Sequence, residues 1–461
     1  MAEARPFDLD AVFAWIDAHA DECVADLQEL VRQPSVSAQR DPGLRACADL
    51  VESQMRSDGL DARQYTLDGG PPVLFGHMTT KRSSKTMMCY SHYDVQPPEP
   101  VDAWTHGGPF SADIVDGVMY GRGTTDNKSG VLAFNKAAKA FLASHGELPV
   151  NLKFLCEGEE EIGSIHLGPW VEANTELLEA DGMHCLDGSV DTATLLPDVD
   201  LGLKSVLFVE LVARGANADV HSLNFPLLPS PAWDLVRALG TIMDEERRIL
   251  VDGWYDGLYE LQEEDEEQLR EKARRVDMEA VKREWGIDGF ALGRDGVAAH
   301  RARQYEPTAN IAGLVSGYTG PGSKTIVPNE ARAKMDFRLI PHMRQEDAIL
   351  KLRRHLDAHG FAHIEIHGEA RAEPPYKISV KEPMAQAVIA AAMRVWGEPP
   401  IVNGVSAEGT ILKHVWIPCV LTGFANPGAN LHAPDENIVV ADYIKGIKYA
   451  AAIMHEFGKG P

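Results

Sequence analysis

Apolar positions recur at helical spacing over residues 8–32, where Leu9, Val12, Phe13 and Ile16 are followed by Leu27, Leu30 and Val31. The stretch QPSVSAQRDPG ends that helix, and another is predicted from Ala46 to Leu60, where Gly59 closes it. From there to about residue 200, short apolar runs alternate with helical patterns. TMMCYSHYDV, VNLKFLCEG and GMHCLDGSV read as buried strands, and GVLAFNKAAKAFLASHG reads as a helix closing at a glycine. This alternation predicts an α/β domain with a largely parallel central sheet flanked by helices.

The pattern changes near residue 204. KSVLFVELVARG is a strand with partial alternation, and the Pro-rich FPLLPSP leads into a helix from Ala232 to Met243. Residues 244–285 carry dense charge in runs such as YELQEEDEEQLREKARRV, which predict solvated helix decorating a surface. NEARAKMDFRLIP alternates like an edge-exposed strand, and EDAILKLRRHLDAHG is an amphipathic helix. After KEPMAQAVIAAAMRVWG the α/β pattern returns. At 461 residues the chain exceeds what one core ordinarily serves. The expected division is a larger domain in two parts, 1–203 and 379–461, interrupted by a smaller inserted α+β domain at 204–378.

Charge narrows the range of partners. Lys and Arg number 44 against 69 Asp and Glu, a formal net charge of -25, so phosphate backbones and anionic lipid surfaces would be repelled. Neither a nucleic acid nor a membrane is therefore expected as partner. No apolar run approaches the length of about 18 residues that a spanning helix requires. The six cysteines are scattered without a CxxC pair and read as buried apolar residues in a reducing compartment. The acidic opening MAEARPFDLD lacks a basic segment followed by an apolar one, and a cytoplasmic location is expected.

Candidate chemistry gathers at strand ends. In SHYDVQP, His92 and Asp94 stand two apart after an apolar run, so that the carboxylate can hold the imidazole; a buried His–Asp hydrogen bond is the plainer reading. GRGTTDNKSG puts Asp126 in a glycine-rich turn before a helix, where it can reach a cation or simply cap the helix. CEGEEEIGS follows a strand with three successive carboxylates, costly unless a cation or solvent compensates. CLDGS offers Asp187 after another apolar run, and GANLHAPDENI offers His432 in a loop. Imidazoles and carboxylates without thiolate favour Zn, Mn or Co over a Cys-based structural site. No HExxH helix or GxSxG elbow is present. YTGPGSKTIVP fails as a phosphate loop, because Ser323 stands where lysine is required.

SHYDVQP, GRGTTDNKSG, EGEEEIGS, LDGS and LHAPDENI, in that order, resemble the aminoacylase/carboxypeptidase/dipeptidase family of two-zinc metallopeptidases, and NIAGLVSGYTGPGSKTIVPNEARAKMDFRLIP extends the likeness into the inserted domain. With the charged insertion at 244–285, the nearest subgroup is the carnosinase-like cytosolic non-specific dipeptidases. The resemblance implies two divalent metal ions per chain, Zn first and Mn or Co as alternatives. One would be held by His92, Asp126 and Asp187, the other by Asp126, Glu161 and His432, with Asp126 bridging and Asp94 orienting His92. It also implies a cis peptide between Asp126 and Asn127. Glu160, beside a ligand but not needed as one, would be the general base. Glu159 shares strand parity with Glu161, not Glu160, and is expected in solvent.

The implied reaction is amide hydrolysis of a dipeptide, short peptide or N-acyl amino acid. The inserted domain would act as lid and dimerisation domain of a homodimer, with His221 reaching the neighbour's site to bind the oxyanion. Arg338, with Thr325 and Thr410, would grip the substrate carboxylate. Two departures stand out: Asn127 where a second Asp is common, and Glu408 in SAEGTIL where glycine is usual. The second bears on substrate preference more than on the reaction. Two other readings remain: an amidohydrolase for a non-peptide amide or N-carbamoyl substrate, and a catalytically inactive metal-binding protein.

Overall fold

The computed structural model describes residues 6–192, 194–368, 374–406 and 417–459. Its largest sheet has eight strands. Four neighbouring strands run parallel at its centre: Asn151–Glu157, Thr86–His92, Gly182–Leu186 and Cys419–Thr422. Asp61–Tyr65 and Val73–Met78 extend one side antiparallel. On the other side, Asp198–Asp200 is antiparallel to Cys419–Thr422 and parallel to Ile401–Asn403. The central strands are buried along nearly their whole length, which is why they read as continuous apolar runs. Helix Lys128–His145 packs beneath them with Val131, Phe134, Ala138 and Phe141 inaccessible, and it stops at Gly146, whose φ of 76° suits the residue after a helix. All six cysteines are buried and free of disulfides. No helix among the described residues is long and apolar enough to cross a membrane.

The first helical stretch is two helices, Leu9–Ala18 and Ala20–Arg32. They part at His19, whose ring stacks on Trp15 at 4.0 Å and whose Nδ1 lies 2.8 Å from the Trp15 carbonyl. A local side-chain contact of this kind competes with continuing the helix.

A second sheet, all antiparallel, orders its strands Thr308–Ser316, Glu330–Leu339, Ser205–Arg214 and Glu365–Gly368. Helices Pro231–Ile242 and Gln345–Ala358 cover one face, where Leu207, Leu211, Leu235, Met335, Phe337 and Leu352 form a separate core. The other face is open, with Phe208 63% exposed. Glu330–Leu339 is thus not the edge strand its alternation suggested. It pairs on both sides, and the alternation arises because only one face is covered. The edges are Thr308–Ser316 on one side and Glu365–Gly368 on the other.

The charged stretch also departs from expectation. Its helices, Glu263–Arg275 and Met278–Trp285, form as predicted, but the first is not a solvated ornament. Leu269 is 1% exposed, a burial that contributes about 2 kcal/mol. The buried Asp265 pairs with Lys377 at 2.7 Å and accepts from Tyr259 Oη at 2.6 Å. Lys272 bonds Asn403, and Arg275 donates to the carbonyls of Pro399 and Pro400. Charged side chains that read as solvated along the sequence are here paired or hydrogen-bonded to partners more than a hundred residues away.

Candidate metal centre

The parallel strands deliver their chemistry at their C-terminal ends, the usual position of sites on α/β sheets. His92 closes its strand, Glu160 and Glu161 lie in a short 3-10 turn just after Asn151–Glu157, and Asp187 follows Gly182–Leu186. Asp126 comes from the turn before helix Lys128–His145, and the Asp126–Asn127 peptide is cis. The helix cap is Asn127, so the Asp126 carboxylate is not occupied as a cap. His432 stands in a loop with φ of 58°, between Asn430 and Asp435 of similar sign. Left-handed positions are uncommon outside glycine, and Asn, Asp and His are the residue types that adopt them most readily.

Two sets of potential ligand atoms result, His92–Asp126–Asp187 and Asp126–Glu161–His432, each lying within 4.8 Å of one another. His92 Nε2 is 3.1 Å from Asp126 Oδ1 and 3.3 Å from Asp187 Oδ2. His432 Nε2 is 2.9 Å from Asp126 Oδ2 and 3.5 Å from Glu161 Oε2. One carboxylate therefore turns one oxygen to each imidazole.

The donors fit a pair of cations. His92 Nε2 is fully buried and, although close to two carboxylates, lacks hydrogen-bond geometry to either; Glu161 Oε1 is likewise buried without a partner. His92 Nδ1 lies 3.1 Å from the Asp94 carbonyl and 3.4 Å from its carboxylate, leaving Nε2 free to offer a lone pair. Burial, reinforced by Asp126 and Asp94 against the pull of His92, raises the Glu161 pKa above the carboxylate range. Glu160 is pushed well above it by burial, opposed by His92 and strengthened by Asp187, Asp94 and Asp126. Burial disfavours charge on His92 too, but the surrounding carboxylates of Asp126, Asp187, Asp94 and Glu160 outweigh it and raise its pKa well above the ordinary imidazole value. So many carboxylates around two imidazoles are the environment a divalent cation relieves.

Asp94 has a wider part than orienting His92. Its Oδ1 accepts from the Glu160 N–H at 3.1 Å and its Oδ2 from the Glu161 N–H at 3.2 Å, holding the turn that carries both glutamates. Glu160 Oε2 lies 4.0 Å from His92 Nε2, beside the ligand sets without joining either. Glu159 is a correction. It is 5% exposed, not in solvent, and its carboxylate accepts from the His166 N–H at 3.0 Å and meets His166 Nδ1 at 2.9 Å. The strand ends at Glu157, so strand parity no longer governs Glu159.

Gln96 and Glu436 lay inside the quoted motifs, yet sequence reasoning passed over both. Gln96 Nε2 donates to Glu161 Oε2 at 2.8 Å. Glu436, wholly buried, takes the Arg122 guanidinium at 2.7 Å. An acidic residue amid GANLHAPDENI was the available signal.

The inserted sheet places its candidates elsewhere. His221 is exposed on the short strand Val220–His221, which pairs with Ile326–Val327, and its Nδ1 accepts from the Leu223 N–H at 3.1 Å. Thr325 is exposed beside it, its carbonyl accepting from the Ser222 N–H at 3.1 Å. Arg338 is half-buried on the sheet's open face, opposite Val206 and Thr308, and its guanidinium has no hydrogen bond or ion pair among the described residues. Thr410 and Glu408 lie outside the described residues.

The chain is similar to several known metallopeptidases and dipeptidases. Human Beta-Ala-His dipeptidase is 29% identical, over 98% of this chain and 94% of its own. The Cys-Gly metallodipeptidase DUG1 of Saccharomyces cerevisiae is 27% identical, over 98% of this chain and 99% of its own. The crystal structure of an M20 family metallo-carboxypeptidase from Sulfolobus solfataricus superposes with a TM-score of 0.85 at 35% identity, covering 95% of this chain and 99% of that one. Residues 88–456, which carry all the ligand candidates, match the model of peptidase family M20/M25/M40, and the chain belongs to that family.

Proposed function

We propose that the chain hydrolyses the amide bond of dipeptides, short peptides or N-acyl amino acids, using two divalent cations, with zinc favoured over manganese or cobalt. The observation that supports this most is the Asp126 carboxylate, with Oδ1 toward His92 and Oδ2 toward His432. His92 and Asp187 complete one ligand set; Glu161 and His432 complete the other. The all-nitrogen-and-oxygen donor set suits zinc first, and also admits manganese and cobalt. When bound, the cations lower the pKa of a water and polarise the scissile carbonyl.

The chain's own residues do the rest. Asp94 fixes the tautomer of His92 and the backbone of Glu160. Glu160, outside both ligand sets, accepts the proton of the attacking water and returns it to the leaving amine. The assay is a panel of dipeptides, N-acetyl amino acids and N-carbamoyl amino acids, with chelated and metal-restored enzyme. Dipeptide turnover that falls on chelation and returns with Zn²⁺ or Mn²⁺ is expected. Turnover of the N-carbamoyl members alone would favour the non-peptide reading, and no metal-dependent turnover at all would favour an inactive metal binder.

The segment 204–378 is, in this proposal, a lid and dimerisation domain. Its edge strand Thr308–Ser316 leaves Ile311, Leu314 and Val315 between 45% and 55% exposed, with a free row of backbone groups suited to a second copy. His221 then serves the neighbouring chain's site as an oxyanion donor, a contribution of about 3 kcal/mol. Arg338, with Thr325 and Thr410, grips the substrate carboxylate. His221→Ala should lower kcat, and Arg338→Ala should chiefly raise KM. Mixing inactive His221→Ala and Glu160→Gln proteins should restore activity, because one site of each mixed dimer is intact. A monomeric active enzyme, or verified mixed dimers without rescue, would refute the shared site.

A further inference from the structure

The turn carrying Asp126 and the loop carrying His432 are tied together by one buried side chain. Glu436 Oε1 accepts three backbone N–H groups, from Gly123 at 3.0 Å, Thr125 at 3.1 Å and Asp126 at 3.1 Å. Its Oε2 accepts from Arg122 Nη1 at 2.7 Å, and both side chains are inaccessible to solvent. Around this centre the Glu436 carbonyl accepts from the Gly121 N–H at 2.8 Å, and Thr125 Oγ1 donates to the Asn437 carbonyl at 2.7 Å. Four residues upstream, His432 sits in its left-handed conformation, 2.9 Å from Asp126 Oδ2.

A glutamate buried this deeply is stable only with its charge compensated. Compensation here comes from the backbone of the ligand turn itself, so the position of that turn depends on Glu436. We infer that Glu436 is a positioning residue: it sets the Asp126 carboxylate between the two cations and fixes His432 against it in register.

The inference rests on Asp126 and His432 being ligands, and it makes a demand of its own. In Glu436→Gln the amide retains an oxygen for the N–H cradle but turns an NH₂ donor toward Arg122, and the charge is gone. Removing an outer partner of a metal ligand typically costs about 10–100-fold in metal affinity. The expected result is a loss of that size at the Asp126–Glu161–His432 set, with a smaller loss at His92–Asp126–Asp187. It is read by metal analysis during chelator titration, and by a changed absorption spectrum of the Co²⁺-loaded protein.

Thr105→Ala is the control. Asp435 in the same loop accepts from the Thr105 N–H at 2.8 Å and from its Oγ1 at 2.6 Å, so this variant loosens the loop without touching the Asp126 turn. Metal affinity and spectrum should change far less in Thr105→Ala than in Glu436→Gln. Equal effects in the two variants would reduce Glu436 to a loop anchor and overturn the inference, as would wild-type affinity and spectrum in Glu436→Gln. Should Glu436→Gln fail to fold, Glu436→Asp keeps the charge on a stem one methylene shorter. A shifted Co²⁺ spectrum with weakened metal retention is then expected, and an unchanged protein would overturn the inference. An Asp126→Ala protein that keeps both metals would instead remove the ligand assignment beneath it.

Discussion

Replacing Glu160 by Gln should lower kcat by at least about 100-fold while metal content stays at about two ions per chain, since a general base contributes roughly 10²–10⁴-fold. The amide preserves the shape of the side chain but cannot take a proton. Metal content is spared because Glu160 belongs to neither ligand set. Its place is also secure, since Asp94 Oδ1 accepts from the Glu160 backbone N–H, a bond the substitution leaves alone. The variant should therefore bind substrate with little change in affinity and fail at the chemical step. Steady-state rates on whichever panel member is turned over, with metal analysis of the same preparation, provide the check. A Glu160→Gln enzyme retaining more than about a tenth of the wild-type rate would remove Glu160 from the proton-transfer role. One that had lost metal would show that it is a ligand instead.

Much of this candidate centre was legible because polar side chains at strand ends interrupt the apolar runs that announce the strands. His92 and Asp187 stand at or just past the ends of TMMCYSH and GMHCL, where a polar residue has no packing reason to follow. Residues whose roles depend on contacts distant in sequence were harder to read. Glu436 meets Arg122 across 314 positions, and no periodicity reports a contact of that separation. Glu159 was misplaced for a local reason: the strand stops at Glu157 and a 3-10 turn follows over Glu160–Ile162, so strand alternation does not reach Glu159, and His166 folds back to cover the carboxylate. The helix Glu263–Arg275 was misjudged because composition alone cannot tell charges facing water from charges facing Lys377 or Asn403. The alternation of Glu330–Leu339 fixed which side chains face the core, as period-two patterns do, but carried no information on how many neighbours the strand has.

Replacing Asp126 by Ala should strip both cations together, and no other single substitution in the centre should do so. Without that carboxylate, His92 and Asp187 remain on one side and Glu161 and His432 on the other, two protein donors each where zinc ordinarily has three or four. The bridging anion also offsets the repulsion between two divalent cations, so its loss weakens each site directly and through the other. His92→Ala, by contrast, removes a donor from one set only, and the Asp126–Glu161–His432 set should keep its ion. Metal analysis distinguishes the two patterns, and thermal melting gives a second readout. Wild-type protein should melt higher with saturating Zn²⁺ than in chelator, because a ligand bound only by the folded state stabilises it by mass action. The Asp126→Ala protein should melt at one temperature in both conditions. Comparison with the wild type in chelator shows whether the variant is folded, separating loss of the metals from loss of the fold. An Asp126→Ala protein that is fully loaded, or that still gains stability from Zn²⁺ as the wild type does, would contradict the bridge on which the proposed mechanism depends.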